Sequence, residues 1–295
     1  LDNFSTGHMS NIQHLIDGYP LNFKLIEGDI RNFETCVRAV NGVQYVLHEA
    51  ALGSIPRSIN DPITTNDVNI GGFLNMLVAA RDSNIRRFIF AASSSTYGDN
   101  TDLPKKEDNI GRPLSPYALT KYVDELYADV FAKTYGIEYI GLRYFNVFGR
   151  RQDPNSMYAA VIPLFIKQFL NHKQPKINGD GLNTRDFTYI DNVLHMNMLA
   201  LNTTNTQAVN QIYNTAGGGR TSINKLANEI KSCLVQYDFS ISDINPIYGA
   251  YRLGDIPHSF ASIDKAKQLL GYSSLVSFQE GLNETVKWYV NNKNH

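Results

Sequence analysis

Apolar and polar positions through the first half of the chain follow a strand-then-helix rhythm. Residues 23–29, Phe-Lys-Leu-Ile-Glu-Gly-Asp, read as a short strand ending in a Gly-Asp turn, residues 34–40 as the helix after it, and residues 44–48 as a second strand. Residues 62–82 carry Val68, Leu74, Leu77 and Val78 close to helical spacing, and the run Phe88-Ile89-Phe90-Ala91-Ala92 is short enough for a buried strand. Ser115 is a good N-cap and Pro116 is tolerated in a first turn, so together they open a helix running to about Tyr135. Residues 137–144 form one more strand. Strands alternating with helices predict an α/β fold with a parallel sheet.

Beyond Gly149 the polar break Arg150-Arg151-Gln152-Asp153-Pro154-Asn155 marks a change of texture, with longer loops and fewer β-branched runs. A second, smaller lobe is expected there. Its helices are predicted at residues 160–171, 191–201, 222–235, 263–270 and 277–292, with a strand near Ile212. The expected division is a first domain at residues 1–149, to which part of residues 186–213 returns, and a second at 150–295.

Composition narrows the function. With 295 residues, 43% hydrophobic and 19% charged, the chain can bury a core and does not read as disordered. A net charge of -1 lacks the basic excess of a nucleic-acid binder. No run approaches the roughly 18 apolar residues of a membrane span, and no basic start precedes an apolar block, so a cytoplasmic protein is expected. Cys36 and Cys233 stand far apart without neighbouring Cys or paired His, which predicts a reducing compartment and no metal. The chain opens Leu1-Asp2-Asn3-Phe4 without Met and reads as a fragment.

The strongest chemical feature is Tyr117-Ala-Leu-Thr-Lys121 at the start of the Ser115 helix. Spacing i, i+4 puts both side chains on one helix face. A nearby ammonium lowers the pKa of a phenol from roughly 10, so the phenolate can serve as a general base. Alone the pattern is weak, because about one match is expected by chance in a chain with 17 tyrosines, and a tyrosine packed beside a surface lysine is the plainer reading. Context changes that. The strand at residues 88–92 delivers Ser93-Ser94-Ser95-Thr96-Tyr97-Gly98 at its carboxyl end, where open α/β sheets place ligands, and serine hydroxyls there can orient a substrate alcohol.

These residues resemble the extended short-chain dehydrogenase/reductases, and within them the nucleotide-sugar 4-epimerases. The resemblance runs nearly the whole chain: Asp2-Asn3-Phe4, Gly28-Asp29-Ile30, His48-Glu49-Ala50-Ala51, Asn69, the serine run, Tyr117 and Lys121, then Arg143-Tyr144-Phe145-Asn146-Val147-Phe148-Gly149, Arg185-Asp186-Phe187 and Arg252-Leu-Gly-Asp255. It implies a Rossmann-type doubly wound sheet, its first βαβ unit incomplete, with a smaller C-terminal α/β substrate lobe. The family's Gly-x-x-Gly-x-x-Gly turn, which binds the dinucleotide pyrophosphate at a helix N-terminus, is not found among the 21 glycines. About 45–50 family residues are expected to precede Leu1.

By this resemblance Tyr117 removes the proton of the sugar 4-hydroxyl while hydride passes to NAD, Lys121 holds the nicotinamide ribose, and Ser93 and Ser95 orient the sugar. Asp2 and Asn3 match the adenosine-ribose position, Asp29 and Ile30 the adenine contacts, and Ala50, Ala51, Asn69 and Tyr144 further cofactor contacts. An acid at the ribose favours NAD over NADP. Asn146, Arg185, Arg252 and Asp255 match positions that hold the diphosphate and uridine of a UDP-sugar.

The subclass follows from what stands beside the serine. Dehydratases carry an Asp-Glu pair where this chain has Ser94 and Ser95, and decarboxylases place a Glu there, so elimination and decarboxylation are disfavoured. Glucose-restricted epimerases have Asn at the position of Ala160 and Tyr at that of Ser259; two small residues here imply room for an N-acetyl group. With Ser54 in Gly53-Ser54-Ile55-Pro56-Arg57, this resembles the UDP-N-acetylglucosamine 4-epimerase branch, with UDP-glucose or a uronic acid as the alternative substrate. A homodimer through the helices at 62–82 and 116–135 is implied as well. A non-catalytic UDP-sugar-binding relative or an inactive fragment stays open. A metal hydrolase does not, since His48-Glu49 has no second His at Leu52.

Overall fold

The computed structural model describes residues 1–156, 158–251 and 257–292. In chain order its elements are α1 (Gln13–Gly18), α2 (Phe33–Val40), β1 (Tyr45–His48), α3 (Ile55–Asn60), α4 (Pro62–Asn66), α5 (Phe73–Asp82), β2 (Arg87–Ser93), α6 (Pro116–Tyr135), β3 (Tyr139–Tyr144) and β4 (Val147–Phe148). There follow α7 (Val161–Leu170), β5 (Lys176–Asn178), β6 (Thr184–Arg185), β7 (Thr188–Tyr189), α8 (Ile190–Asn202), β8 (Gln211–Thr215), β9 (Thr221–Ser222), α9 (Ile223–Val235), β10 (Ile247–Gly249), α10 (Asp264–Leu270) and α11 (Phe278–Asn291). The chain forms two compact units, one of residues 1–98, 113–142 and 204–212, the other of 99–112, 143–203 and 213–295. Their boundary thus falls before Gly149, and residues 99–112 belong to the second unit.

The first unit is built on a sheet of order β1-β2-β3-β8, in which β1 and β2 run parallel with Tyr45 opposite Arg87 and His48 opposite Phe90. β2 is buried along nearly its whole length, which is why its sequence is a continuous apolar run rather than an alternation. Gly141 on β3 is obligatory: a Cβ there would stand 2.4 Å from Ile212 and 2.7 Å from the Phe90 ring. The expected strand at 23–29 is reduced to a bridge between Asp2 and Glu27, closed by the Asp2 N–H to Ile26 and the Gly28 N–H to Asp2. Residues 62–82 are helical as expected, but residues Asp67–Gly72 form a π-helical segment between α4 and α5. Such segments mark functional positions in many helices. This one carries Asn69.

α6 forms where its sequence places it. The Ser115 hydroxyl accepts the Ala118 N–H at 3.1 Å, Pro116 occupies the first turn, and Gly136 closes the helix at φ 74°. The core beneath is Phe73, Phe88, Phe90, Leu77, Ala128 and Phe131.

The second unit packs α7, α9 and α11 around Phe148, Phe165, Ile166, Leu226, Ile230 and Leu282. Its strands are short pairs: β4 with β7, β5 with β10, and antiparallel β6 with β9, where Arg185 faces Thr221. Asp186 is fully buried at the end of β6. Its Oδ1 accepts the N–H groups of Gly217 and Gly218 at 3.0 and 3.1 Å and that of Gly219 at 3.5 Å, and its Oδ2 that of Ala261 at 3.3 Å. Burial pushes this carboxyl up to about 6 against those four donors. Among the described residues no helix is long and apolar enough to cross a membrane.

Candidate active site

The catalytic candidates of the first unit gather at the carboxyl end of β2. Ser93 ends the strand, and its hydroxyl oxygen accepts both the N–H of Ser95 and the Ser95 hydroxyl, the latter at 2.8 Å. Ser94 starts the single 3₁₀ turn Ser94–Tyr97 that follows, pinned by the Thr96 hydroxyl on the Ser93 carbonyl. Tyr117 stands half-buried in the first turn of α6. One turn on, the Lys121 ammonium is buried and donates to the Ala91 carbonyl of β2 at 3.0 Å and to Asp124 Oδ2 at 3.3 Å. Asp124 is fully buried, and burial pushes its carboxyl up to about 7 against the attraction of Lys121. The candidate residues read from the sequence did not include Asp124, although seven residues after Tyr117 is again the same helix face.

Asn69 is spent inside the protein. Its Oδ1 accepts the Leu52 N–H at 2.8 Å, and its Nδ2 donates to the Leu52 carbonyl and, at 3.0 Å, to the Thr120 hydroxyl, which in turn donates to the Tyr117 carbonyl. The residue expected at the cofactor thereby ties the loop after β1 to α6. His48, at the end of β1, is wedged between the Phe73 and Phe88 rings, and burial, with the nearby charge of Lys121, pushes its imidazole down to about 3.

A cavity of about 550 Å³ opens beside these elements, lined by Asp2, Asn3, Asp29, Ile30, Ala50 and Ala51, six of the positions expected at the cofactor. Asp2 Oδ1 accepts the Phe4 N–H at 2.7 Å, and a Cβ at Gly7 would come within 3.4 Å of Asp2 Oδ2. Asp29 accepts from Asn3 Nδ2 at 2.9 Å and pairs with Arg31 at 2.7 Å, which, through the hydrogen bonds of Arg31, holds its carboxyl well below the usual range. A concave, half-apolar cavity edged by acids that can receive ribose hydroxyls fits the adenosine end of NAD.

Ser54 caps α3 at φ 130°, its hydroxyl accepting the Arg57 N–H. In the second unit, Tyr144 receives the Asn197 amide on its hydroxyl at 2.9 Å. Asn146, held at φ 37°, donates to the Asp186 carbonyl. Arg185 donates to the carbonyls of Thr184 and Pro257, and Ser259 bonds through its N–H to the Thr184 carbonyl, so residues 184–185 and 257–259 are brought together. Ala160 caps α7. Arg252 and Asp255 lie outside the described residues. Among those described, no cluster of His, Cys, Asp and Glu could hold a metal.

The model of the NAD dependent epimerase/dehydratase family matches residues 1–216. The chain belongs to that family. This family member is 35% identical over 294 residues to a putative UDP-glucose 4-epimerase of Methanocaldococcus jannaschii, covering 99% of this chain and 90% of that one. Its fold superimposes at TM-score 0.90 on a UDP-N-acetylglucosamine 4-epimerase from Methanobrevibacter ruminantium solved with UDP-N-acetylmuramic acid, 38% identical over 98% of this chain and 89% of that one. The same score relates it to a UDP-glucose 4-epimerase of Thermotoga maritima solved with UDP-glucose, 33% identical over 99% and 90%. The short-chain dehydrogenase/reductase fold expected from the motifs is therefore the fold of this epimerase-family chain, and NAD is its cofactor.

Proposed function

We propose that the protein is a UDP-sugar 4-epimerase, an isomerase, that interconverts UDP-N-acetylglucosamine and UDP-N-acetylgalactosamine. The observation that supports the reaction class is the packing of α6, which carries Tyr117 and Lys121, against the end of β2, where Lys121 bonds Ala91 and Ser93 bonds Ser95, with serines where elimination chemistry needs acids. Tyr117 takes the proton of the sugar 4-hydroxyl, Ser93 and Ser95 orient that hydroxyl, and Lys121 holds the nicotinamide ribose. Bound NAD supplies hydride acceptance from C4 and its return. The sugar turns between the two transfers, and Tyr117 gives the proton back, so the configuration at C4 inverts.

For the nucleotide, Asn146 and Arg185, with Arg252 and Asp255, hold the diphosphate and uridine. For the sugar, the small side chains of Ala160 and Ser259 favour an N-acetylated substrate, and the M. ruminantium relative was solved with an N-acetylated sugar nucleotide. UDP-glucose, the substrate named for two similar proteins, is the second reading.

The assembly we propose is a homodimer. Leu119, Leu126 and Val130 lie at i, i+7 and i+11 of α6, each about half exposed, and Ile59 and Ile63 of the adjoining α3 and α4 are more exposed still. Both cysteines are free, as in the cytoplasm.

NMR of UDP-N-acetylglucosamine incubated with the protein and NAD tests the activity. The 4-epimer is expected to appear; UDP-glucose turning over far faster would overturn the substrate assignment, and no conversion of either would leave a UDP-sugar-binding protein. Sedimentation at micromolar concentration showing monomer alone would overturn the dimer.

A further inference from the structure

Asp124 has no task in the mechanism, and its position is costly. The side chain has 0% exposure, its Oδ2 pairs with Lys121, and its Oδ1 has no hydrogen-bond partner among the described residues. Lys121 is nearly as buried, at 3% exposure of its side chain. Removing two charges from water is expensive, and a single contact with one carboxylate oxygen unbonded recovers that cost poorly. A purely structural position on this face would be better filled by an apolar side chain, as it is one turn later at Ala128.

We propose that Asp124 is the buried counter-charge of Lys121, a positioning residue that fixes the ammonium at the end of β2 and balances its charge in a desolvated site. The inference rests on the reading of Tyr117 and Lys121 as the catalytic pair. Geometry limits what else can play this part. Lys121 reaches one carbonyl, that of Ala91, and one carboxylate, that of Asp124. The other charge acting on Asp124 is Glu125 of its own helix; from β1 the imidazole of His48 faces Lys121 and is held neutral, and from the π segment Asn69 presents an uncharged amide to α6. Burial holds the Asp124 carboxyl near 7, so the counter-charge is in force above neutral pH, where a desolvated lysine most needs it.

Two measurements test this. The first is the pH profile of kcat for 4-epimerisation in the wild type and in Asp124→Asn, which keeps the shape and removes the charge. Loss of an ion-pair partner lets Lys121 give up its proton at lower pH, so the alkaline limb should move down by about one to three pH units. A profile lowered equally at every pH, with its limbs in place, would make Asp124 merely structural and overturn the proposal. The second needs no activity. Lys121→Met leaves the Asp124 carboxyl without its partner, so that above neutral pH it is either stranded as a buried charge or must take up a proton, and either should lower the urea midpoint there, while adding Asp124→Asn should restore most of the loss; additive losses would overturn the pairing. A wild type inactive on every UDP-sugar sinks the catalytic reading instead, and the denaturation cycle still decides the counter-charge.

Discussion

Replacing Gly72 by Ala probes the wall between the π segment and the cavity proposed to hold NAD. A Cβ at Gly72 would stand 2.4 and 2.5 Å from Ile30 Cδ1 and Cγ1 and 3.3 Å from its Cβ, and Ile30 is both a core side chain and part of the cavity lining. Ala is favoured over Gly in a helix by about 1 kcal/mol, while overpacking a core costs about 1–3 kcal/mol, so the substitution should destabilise by up to about 2 kcal/mol. Ile30→Ala by itself should cost about 2–5 kcal/mol through the void it leaves. That second change deletes the two atoms under 3 Å. In its background Gly72→Ala therefore keeps the propensity gain without the clash, and should stabilise by about 1 kcal/mol. Urea midpoints of the four proteins read the cycle, and calorimetry of NAD reads the cavity, where Gly72→Ala alone should weaken binding by pushing Ile30 into it. If Gly72→Ala changes stability with the same sign and size in both backgrounds, Ile30 is not the obstacle and the close-packing argument fails.

Other expectations are simpler to check. Tyr117→Phe should cut kcat by about 10²–10⁴-fold while UDP-sugar affinity by calorimetry stays within a few fold; an active variant would remove Tyr117 as the base. Ser259→Tyr should slow UDP-N-acetylglucosamine selectively and leave UDP-glucose turnover, and equal effects on both would end the size argument. His48 is held at about 3 against an ordinary 6.5, so the unfolded state binds its proton first, and its stabilisation, present above 6.5, is lost as pH falls toward 3. Protonation of Asp124, held near 7, works in the opposite direction over much of that range. His48→Leu isolates the first effect: its stability relative to wild type in urea should rise by about 3 kcal/mol between pH 6.5 and about pH 4, and a constant difference would show that the imidazole is not neutral in the fold.

Much of the first unit was legible because its signals are local. Ser115 and Pro116 announce α6, Gly136 ends it, and the apolar run of β2 carries its own burial. Residues 23–29 read as a short strand ending in a Gly-Asp turn but find only the Asp2–Glu27 bridge, since a local apolar run does not specify a pairing partner. The pairs β4–β7 and β6–β9 are two residues long, too short for any periodicity to show. What distinguishes Asp186 is reached from Gly217 and Ala261, 31 and 75 residues away, and no local pattern carries such separations. The motif that picks out Asn69 does not reveal that its amide bonds Leu52 and Thr120, 17 and 51 residues away. The ion pair of Lys121 and Asp124 was the nearest miss, since helical spacing alone aligns them.

That amide has a consequence for how the protein can change over time. One side chain joins the backbone of a loop at Leu52 to a hydroxyl on α6, so neither segment can drift alone. Substitutions in residues 50–54 that reshape the cavity will be tolerated only with matching changes near Thr120, and a loop grafted from a relative should work when it arrives with its own helix and fail when it comes without one.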